Sequence, residues 1–276
     1  MISTAEIESI VERALEEDLP DITSDAIFGP EEEGSARFLV KEAGVLAGLR
    51  FAGAVFFSID GSTRFEPSMR DGEWVESGTV IATVEGNVRT LLSAERTALN
   101  LLQRASGIAT LTRRFVDAVA GTAAGIYDTR KTAPGLRALD KYAVTAGGGR
   151  NHRYALHDLF LIKNNHIDRA GSIAKAVAAC RESGRIEKVM VEVRDHAELE
   201  QALAAGADFI LLDNMSVEGM AAAVRITAGR VPLEASGGIT LQSVRAIAET
   251  GVDRISVGAL THSLRALDIS MRIDRK

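Results

Sequence analysis

Apolar positions along this chain change their spacing three times. Over residues 4–17, Ile7, Ile10, Val11, Ala14 and Leu15 recur at helical intervals and predict an amphipathic helix. From 18 to 90 the runs shorten. ARFLV and GTVIATVEG stand between glycine turns, with one helical stretch near 50–57, which predicts a small α+β domain. Residues 90–120 return to helical spacing in two runs. In the first, Leu91, Ala94, Ala98, Leu101, Leu102 and Ala105 form an apolar stripe, and Ser93, Arg96, Asn100 and Arg104 a polar one. Arg96 is therefore expected to point away from its own core.

From 124 onward, short apolar runs alternate with helical stretches. Strands are predicted at 125–128, 159–162, 189–193, 209–213, 231–235 and 254–258. Helices are predicted at 136–145, 172–182, 196–205, 217–228 and 241–249. Strands that are apolar on both faces belong in a buried parallel sheet, and six such units predict an α/β barrel, closed or incomplete. The expected division is 1–105 for the N-terminal helix, the α+β module and the start of the long helices, and 106–276 for the barrel.

Composition narrows the class of ligand. The chain has 276 residues, 46% hydrophobic and 25% charged, an ordinary globular balance. No apolar run approaches the ~20 residues of a membrane span. The first residues lack the basic and apolar regions of a secretory signal. The single cysteine, Cys180, cannot form an intramolecular disulfide, so a reducing compartment, the cytoplasm, is expected. Cys180 falls in a predicted helix and reads as a core thiol. A net charge of −6 disfavours a nucleic-acid binder. Residues 96–163, however, carry eleven basic and four acidic side chains, a balance of +7 that leaves −13 on the rest. A cationic centre in an acidic chain suits a small anionic ligand, although solvated helix faces would give the same count.

The active sites of βα barrels lie at the C-terminal ends of their strands. Every predicted strand here ends in polar or glycine residues: Thr129-Arg130-Lys131, Lys163-Asn164-Asn165-His166, Glu192, Asp213-Asn214, Ser236-Gly237-Gly238 and Gly258-Ala259-Leu260-Thr261-His262. Two glycine-bearing loops after the last strands let backbone N–H groups approach a phosphate. Arg130, Lys131, His152, Arg153 and Lys163 concentrate positive charge for carboxylates or pyrophosphate. Glu192 and Asp213 could bind sugar hydroxyls or a divalent ion, or could simply pair with nearby cations. His157 and His196 read as surface or structural residues. No H-E-x-x-H, C-x-x-C or serine-elbow motif is present. The stretch 70–86 loosely resembles a lipoyl half-motif, but no lysine lies between Lys41 and Lys131 to carry the cofactor.

The segments SAERTALNLLQRASGIAT, YDTRKTAPGLRALDKYAVTAGGGRNHR, LIKNNHI, ILLDNM, LEASGGI and ISVGALTHS occur in order through 90–263. Together they resemble the quinolinate phosphoribosyltransferases. That resemblance implies an N-terminal α+β sandwich, which can take up the C-terminal tail, and an open parallel α/β barrel. It implies transfer of phosphoribose from phosphoribosyl pyrophosphate to quinolinate with decarboxylation, in the route to NAD. It also implies a homodimer with shared sites, or a larger assembly built from it, with no organic cofactor.

By the same resemblance, Thr129, Arg130, His152, Arg153 and Lys163 hold quinolinate, together with Arg96 of a second copy. Lys131 and Lys163 face pyrophosphate. Glu192 and Asp213 face the ribose and, indirectly, Mg2+, and these four are the expected catalytic residues. Ser236, Gly237, Gly238, Gly258, Ala259 and His262 cradle the 5′-phosphate. Three positions depart from the family pattern: Asn164 where Asp is usual, Ala133 where Thr is usual and Ala155 where Gly is usual. A molybdenum-transport-associated paralogue would be expected to lack NHR and LIK-x-NH. A non-catalytic metabolite sensor would be expected to lose Lys131, Lys163 or an acid. This chain keeps all of them.

Overall fold

The structure, a computed structural model, describes residues 2–274. They fall into two compact units. The first comprises residues through Arg113, Thr132–Gly148 and the chain from Leu260; the second comprises Arg114–Lys131 and Gly149–Ala259.

In the first unit α1 (Thr4–Glu16) starts at a capping box. The Ser3 hydroxyl accepts the Glu6 N–H, and the Glu6 carboxylate accepts the Ser3 N–H at 2.9 Å. Its buried face is Ile7, Ile10, Val11 and Leu15. A short α2 (Ile22–Ile27), absent from the sequence expectation, is capped by Asp21. Then come β1 (Glu33–Val40), β2 (Gly44–Val45), α3 (Leu49–Ile59), β3 (Arg64–Pro67), β4 (Trp74–Val75), β5 (Val80–Asn87) and α4 (Val88–Ala118). β2 and β4 form a small antiparallel pair of their own. Phe38, Phe56 and Phe65 pack ring against ring beside the main sheet.

The two helical runs expected over 90–120 are one helix of 31 residues. Gly107 lies within it because a Cβ there would stand 2.3 Å from the Arg265 carbonyl oxygen. Two distant segments complete this unit. One is α5 (Arg137–Ala146), whose fully buried Asp140 takes two hydrogen bonds of 2.8 Å from Arg104. Arg104 is therefore turned inward, whereas Arg96 and Asn100 on the same helix are exposed. The other is β12 (Ile269–Ile273), antiparallel to β1, which gives the sheet order β12-β1-β5-β3. The chain thus crosses between the two units several times.

The second unit alternates strand and helix. Its strands are β6 (Gly125–Tyr127), β7 (Phe160–Ile162), β8 (Val189–Val193), β9 (Phe209–Asp213), β10 (Leu233–Ser236) and β11 (Arg254–Ser256). Its helices are α6 (Asn164–Ala170), α7 (Ile173–Glu182), α8 (His196–Ala204), α9 (Val217–Thr227) and α10 (Val244–Glu249), and α11 (Ala259–His262) starts within it. The strands form one parallel sheet in the order β6-β11-β10-β9-β8-β7. Every residue of β8 is buried, as a strand covered on both faces requires. Beyond β6, Arg150 continues the sheet. Its N–H donates to Ile126 O and its carbonyl accepts the Asp128 N–H. Cys180, on α7, is only half-buried. No helix among the described residues is long and apolar enough to cross a membrane.

Candidate active site

Parallel register places Glu192, Leu211, Glu234 and Arg254 side by side, one on each of β8, β9, β10 and β11. Paired residues share a face, so these side chains line one surface of the sheet. Two residues further on, Asp213 pairs with Ser236 on the same face. That face is concave. The Arg254 guanidinium lies 5.1 Å from the Tyr127 ring centroid and 4.3 Å from that of Phe209, on strands β6 and β9, which have β11 and β10 between them.

The cationic group sits at one side of this surface. At the end of β6, the Thr129 hydroxyl accepts the Lys131 N–H at 3.0 Å, and Lys131 itself is exposed. The Arg130 Nε is buried without a hydrogen-bond partner among the described residues. Arg153 donates from Nη1 to Leu159 O at 3.0 Å and so reaches the start of β7. Burial, and then the Arg130 charge beside it, hold the Arg153 guanidinium below its ordinary value, against Asp158. Two guanidiniums close enough to repel one another make a place where an anion is favoured.

His152 is held on three sides. Its N–H donates to Asp128 Oδ1 at 2.8 Å, its Nδ1 accepts the Arg153 N–H at 2.7 Å, and its Nε2 stands 3.4 Å from Glu234 Oε1. Both ring nitrogens face protein groups. With Nδ1 accepting, the ring is neutral and its hydrogen sits on Nε2, facing Glu234.

The acids lie on the next strands. Lys163 Nζ is 3.5 Å from Glu192 Oε2, and Lys163 is the more exposed partner. Asp213 Oδ1 accepts from Asn214 Nδ2 at 2.9 Å. Asn214 has φ +53, and its N–H donates to Ser236 O at 2.9 Å. Gly237, at φ +100, is obligatory here, since a Cβ would stand 2.2 Å from Asn214 Oδ1. Gly238 follows at φ +57. The helix expected from 241 begins at Val244. A turn in which the Thr240 N–H donates to Ser243 Oγ at 3.0 Å separates it from the two glycines. Gly258, by contrast, immediately precedes α11, which carries Ala259 at its start and His262 at its end.

Arg96 is exposed on α4 and lines a groove of about 420 Å³ with Arg13, Glu17, Asp18 and Asn100. It makes no side-chain hydrogen bond or ion pair among the described residues. Of the positions that depart from the family pattern, Asn164 opens α6, a helix absent from the sequence expectation, and its buried Oδ1 has no hydrogen-bond partner among the described residues. The Ala133 N–H donates to Asp140 Oδ2 at 3.1 Å, and the Ala155 N–H to Asp158 Oδ2 at 2.9 Å.

Sequence reasoning did not single out Asp128 or Glu234, both fully or nearly fully buried. Glu234 lies inside an otherwise apolar strand, as Glu192 does, whereas Asp128 directly follows β6.

Residues 21–106 match the family model described as quinolinate phosphoribosyl transferase, N-terminal domain, and residues 108–272 match its C-terminal domain. A probable nicotinate-nucleotide pyrophosphorylase [carboxylating] of Bacillus subtilis is 44% identical over 254 residues, covering 92% of this chain and 88% of that protein. Quinolinate phosphoribosyltransferase [decarboxylating] 1b of Nicotiana tabacum is 41% identical, covering 98% of this chain and 83% of that protein. The crystal structure of NadC from Streptococcus pyogenes superposes with a TM-score of 0.94 at 40% identity, over 99% of this chain and 97% of that one. With both family domains matched in order and relatives similar along nearly its whole length, the chain belongs to the quinolinate phosphoribosyltransferase family.

Proposed function

We propose that this protein transfers the 5-phosphoribosyl group of phosphoribosyl pyrophosphate to the ring nitrogen of quinolinate. Carbon dioxide and pyrophosphate are released, and nicotinate mononucleotide is the product, made for NAD biosynthesis in the cytoplasm. The observation that carries this reading is the junction on one concave sheet face of two unlike groups. The guanidiniums of Arg130 and Arg153 stand with His152 beside β6, and the acids Glu192 and Asp213 stand at β8 and β9, with Lys163 3.5 Å from Glu192. A dicarboxylate needs the first group, and a ribosyl pyrophosphate the second.

Thr129, Arg130, His152, Arg153 and Lys163 hold the two carboxylates of quinolinate, and Arg96 of a second copy completes that pocket. Guanidinium forks bind carboxylate in two places and fix the ring plane. Ser236, Gly237, Gly238, Gly258, Ala259 and His262 receive the 5′-phosphate. Glu192 and Asp213 orient the ribose hydroxyls. Attack by the ring nitrogen on C1 breaks the bond to pyrophosphate, and Lys131 and Lys163 stabilise the charge that grows on the leaving oxygen. The nitrogen becomes quaternary. The bond from C2 to its carboxylate then breaks, its electron pair stays at C2 beside the cationic nitrogen, and C2 takes a proton. No covalent bond to the protein is needed.

Among the described residues, no three acid, histidine or cysteine side chains converge on one point. Glu192 and Asp213 offer one carboxylate each from neighbouring strands, a donor set that suits Mg2+ reached through water or through the pyrophosphate it accompanies. Bound there, the ion would neutralise leaving-group charge.

The test is to mix the purified protein with quinolinate, phosphoribosyl pyrophosphate and Mg2+. Nicotinate mononucleotide and carbon dioxide should form in equal amounts. Absence of both from folded protein overturns the reading.

A further inference from the structure

Glu234 has no part in the chemistry above, yet it is the most deeply buried acid on the site's concave face. Its residue is 1% exposed, and neither carboxyl oxygen has a hydrogen bond of ordinary geometry among the described residues. A buried carboxyl without partners is costly when ionised, so its presence calls for a physical reason. The group it meets is His152. Three strand spacings of about 4.8 Å separate the His152 segment from β10. The two side chains nevertheless meet at 3.4 Å, because both lean across the concave surface.

We infer that Glu234 is a positioning residue that faces His152 Nε2 and sets the charge of the pair, and that the site takes up a dianionic ortho-dicarboxylate when the Glu234–His152 pair carries two protons. The ligand class rests on the function proposed above.

The hydrogen bonds fix where the protons are. His152 Nδ1 accepts the Arg153 N–H, so Nε2 bears the ring hydrogen and points at Glu234. With a second proton on the carboxyl, the pair is neutral overall, as acid plus imidazole. Loss of that proton leaves a net charge of −1 beneath the place meant for a dianion. Burial pushes the Glu234 carboxyl up to about 7, with Asp128 adding to the rise and Ser256 and Arg254 opposing it. The other charged groups of this face are Glu192 with Lys163 on the β8 side, Asp213 on β9, and Arg153 and Arg130 next to His152. The change of charge therefore falls near neutral pH, inside the anion pocket.

The sign follows directly. Below about pH 7 the pair is neutral and the dianion binds. Above it, each pH unit removes a further factor of about ten of the competent form. In Glu234→Gln the amide can still accept from Nε2–H, but the −1 state no longer exists. A purely structural Glu234 would weaken binding equally at every pH.

The test is calorimetric titration of the full chain with benzene-1,2-dicarboxylate, a non-reacting dianion, between about pH 6.5 and 8.5. Native Kd should rise about tenfold per unit above about pH 7. Glu234→Gln should change less than threefold over the range, and Glu234→Asp should keep the native slope. A flat native profile, or a Glu234→Gln profile parallel to the native one, overturns the inference. Turnover with quinolinate, measured alongside, separates the two proposals. Product formation with a flat profile overturns this inference alone, whereas absence of both binding and product overturns the function beneath it as well.

Discussion

Arg130 presents a buried Nε with no partner among the described residues, next to a second guanidinium. An anion would complete that arrangement, and the planar fork matters as much as the charge. Arg130→Lys keeps the charge and loses the bidentate geometry. The expected loss in kcat/KM for quinolinate is about 30- to 150-fold, equivalent to about 2–3 kcal/mol, and steady-state kinetics check it. Asn164, next to Lys163 in sequence, carries a buried oxygen without a hydrogen-bond partner among the described residues. Asn164→Asp adds a negative charge at the start of α6, where the helix dipole favours it. Activity should persist, with a shifted dependence on pH or Mg2+, read from rate profiles of the two proteins. Lys163, Glu192 and Asp213 were legible as polar groups at strand ends. Asp128 and Glu234 were not, because what makes them matter is a partner brought near by the curl of the sheet. Sequence spacing does not encode that partner.

Elements were more legible than contacts. The six strands of the barrel sheet appear within two residues of their expected bounds, because continuous apolar runs between polar ends have few alternatives. Three short helices escaped. α2, α6 and α11 have six, seven and four residues, too few to show a helical period. Helix α5 was expected, but not its membership of the first unit, which hangs on Asp140. Asp140 is fully buried, ties α5 to Arg104 on α4 and also receives the Ala133 N–H at 3.1 Å. Removing one member of a buried ion pair strands the other and costs about 3–5 kcal/mol. Asp140→Ala should therefore lower the melting temperature by roughly 10 °C, measured by thermal unfolding.

At the scale of the molecule, the proposed dimer assigns Arg96 and Lys131 to different copies at each site. Arg96→Ala and Lys131→Ala homodimers should both be nearly inactive. Mixed dimers place both lesions in one site and leave the other intact. With random exchange, about a quarter of native activity should return, assuming independent sites in an isologous dimer. No recovery after verified exchange would put Arg96 to work within its own chain.

The pairing of β12 with β1 has a consequence for how the molecule is made. β1 spans Glu33–Val40, and the strand that covers one of its edges is Ile269–Ile273. A ribosome adds about 5–20 residues per second, so that edge stays open for roughly 10–50 s after β1 emerges. During that interval the nascent first sheet offers unpaired backbone to any neighbour, while the βα units that will form the barrel are still being threaded out between its two halves. The last strand to be synthesised closes the first sheet, and vectorial synthesis leaves the opening module unfinished until its own barrel has been translated.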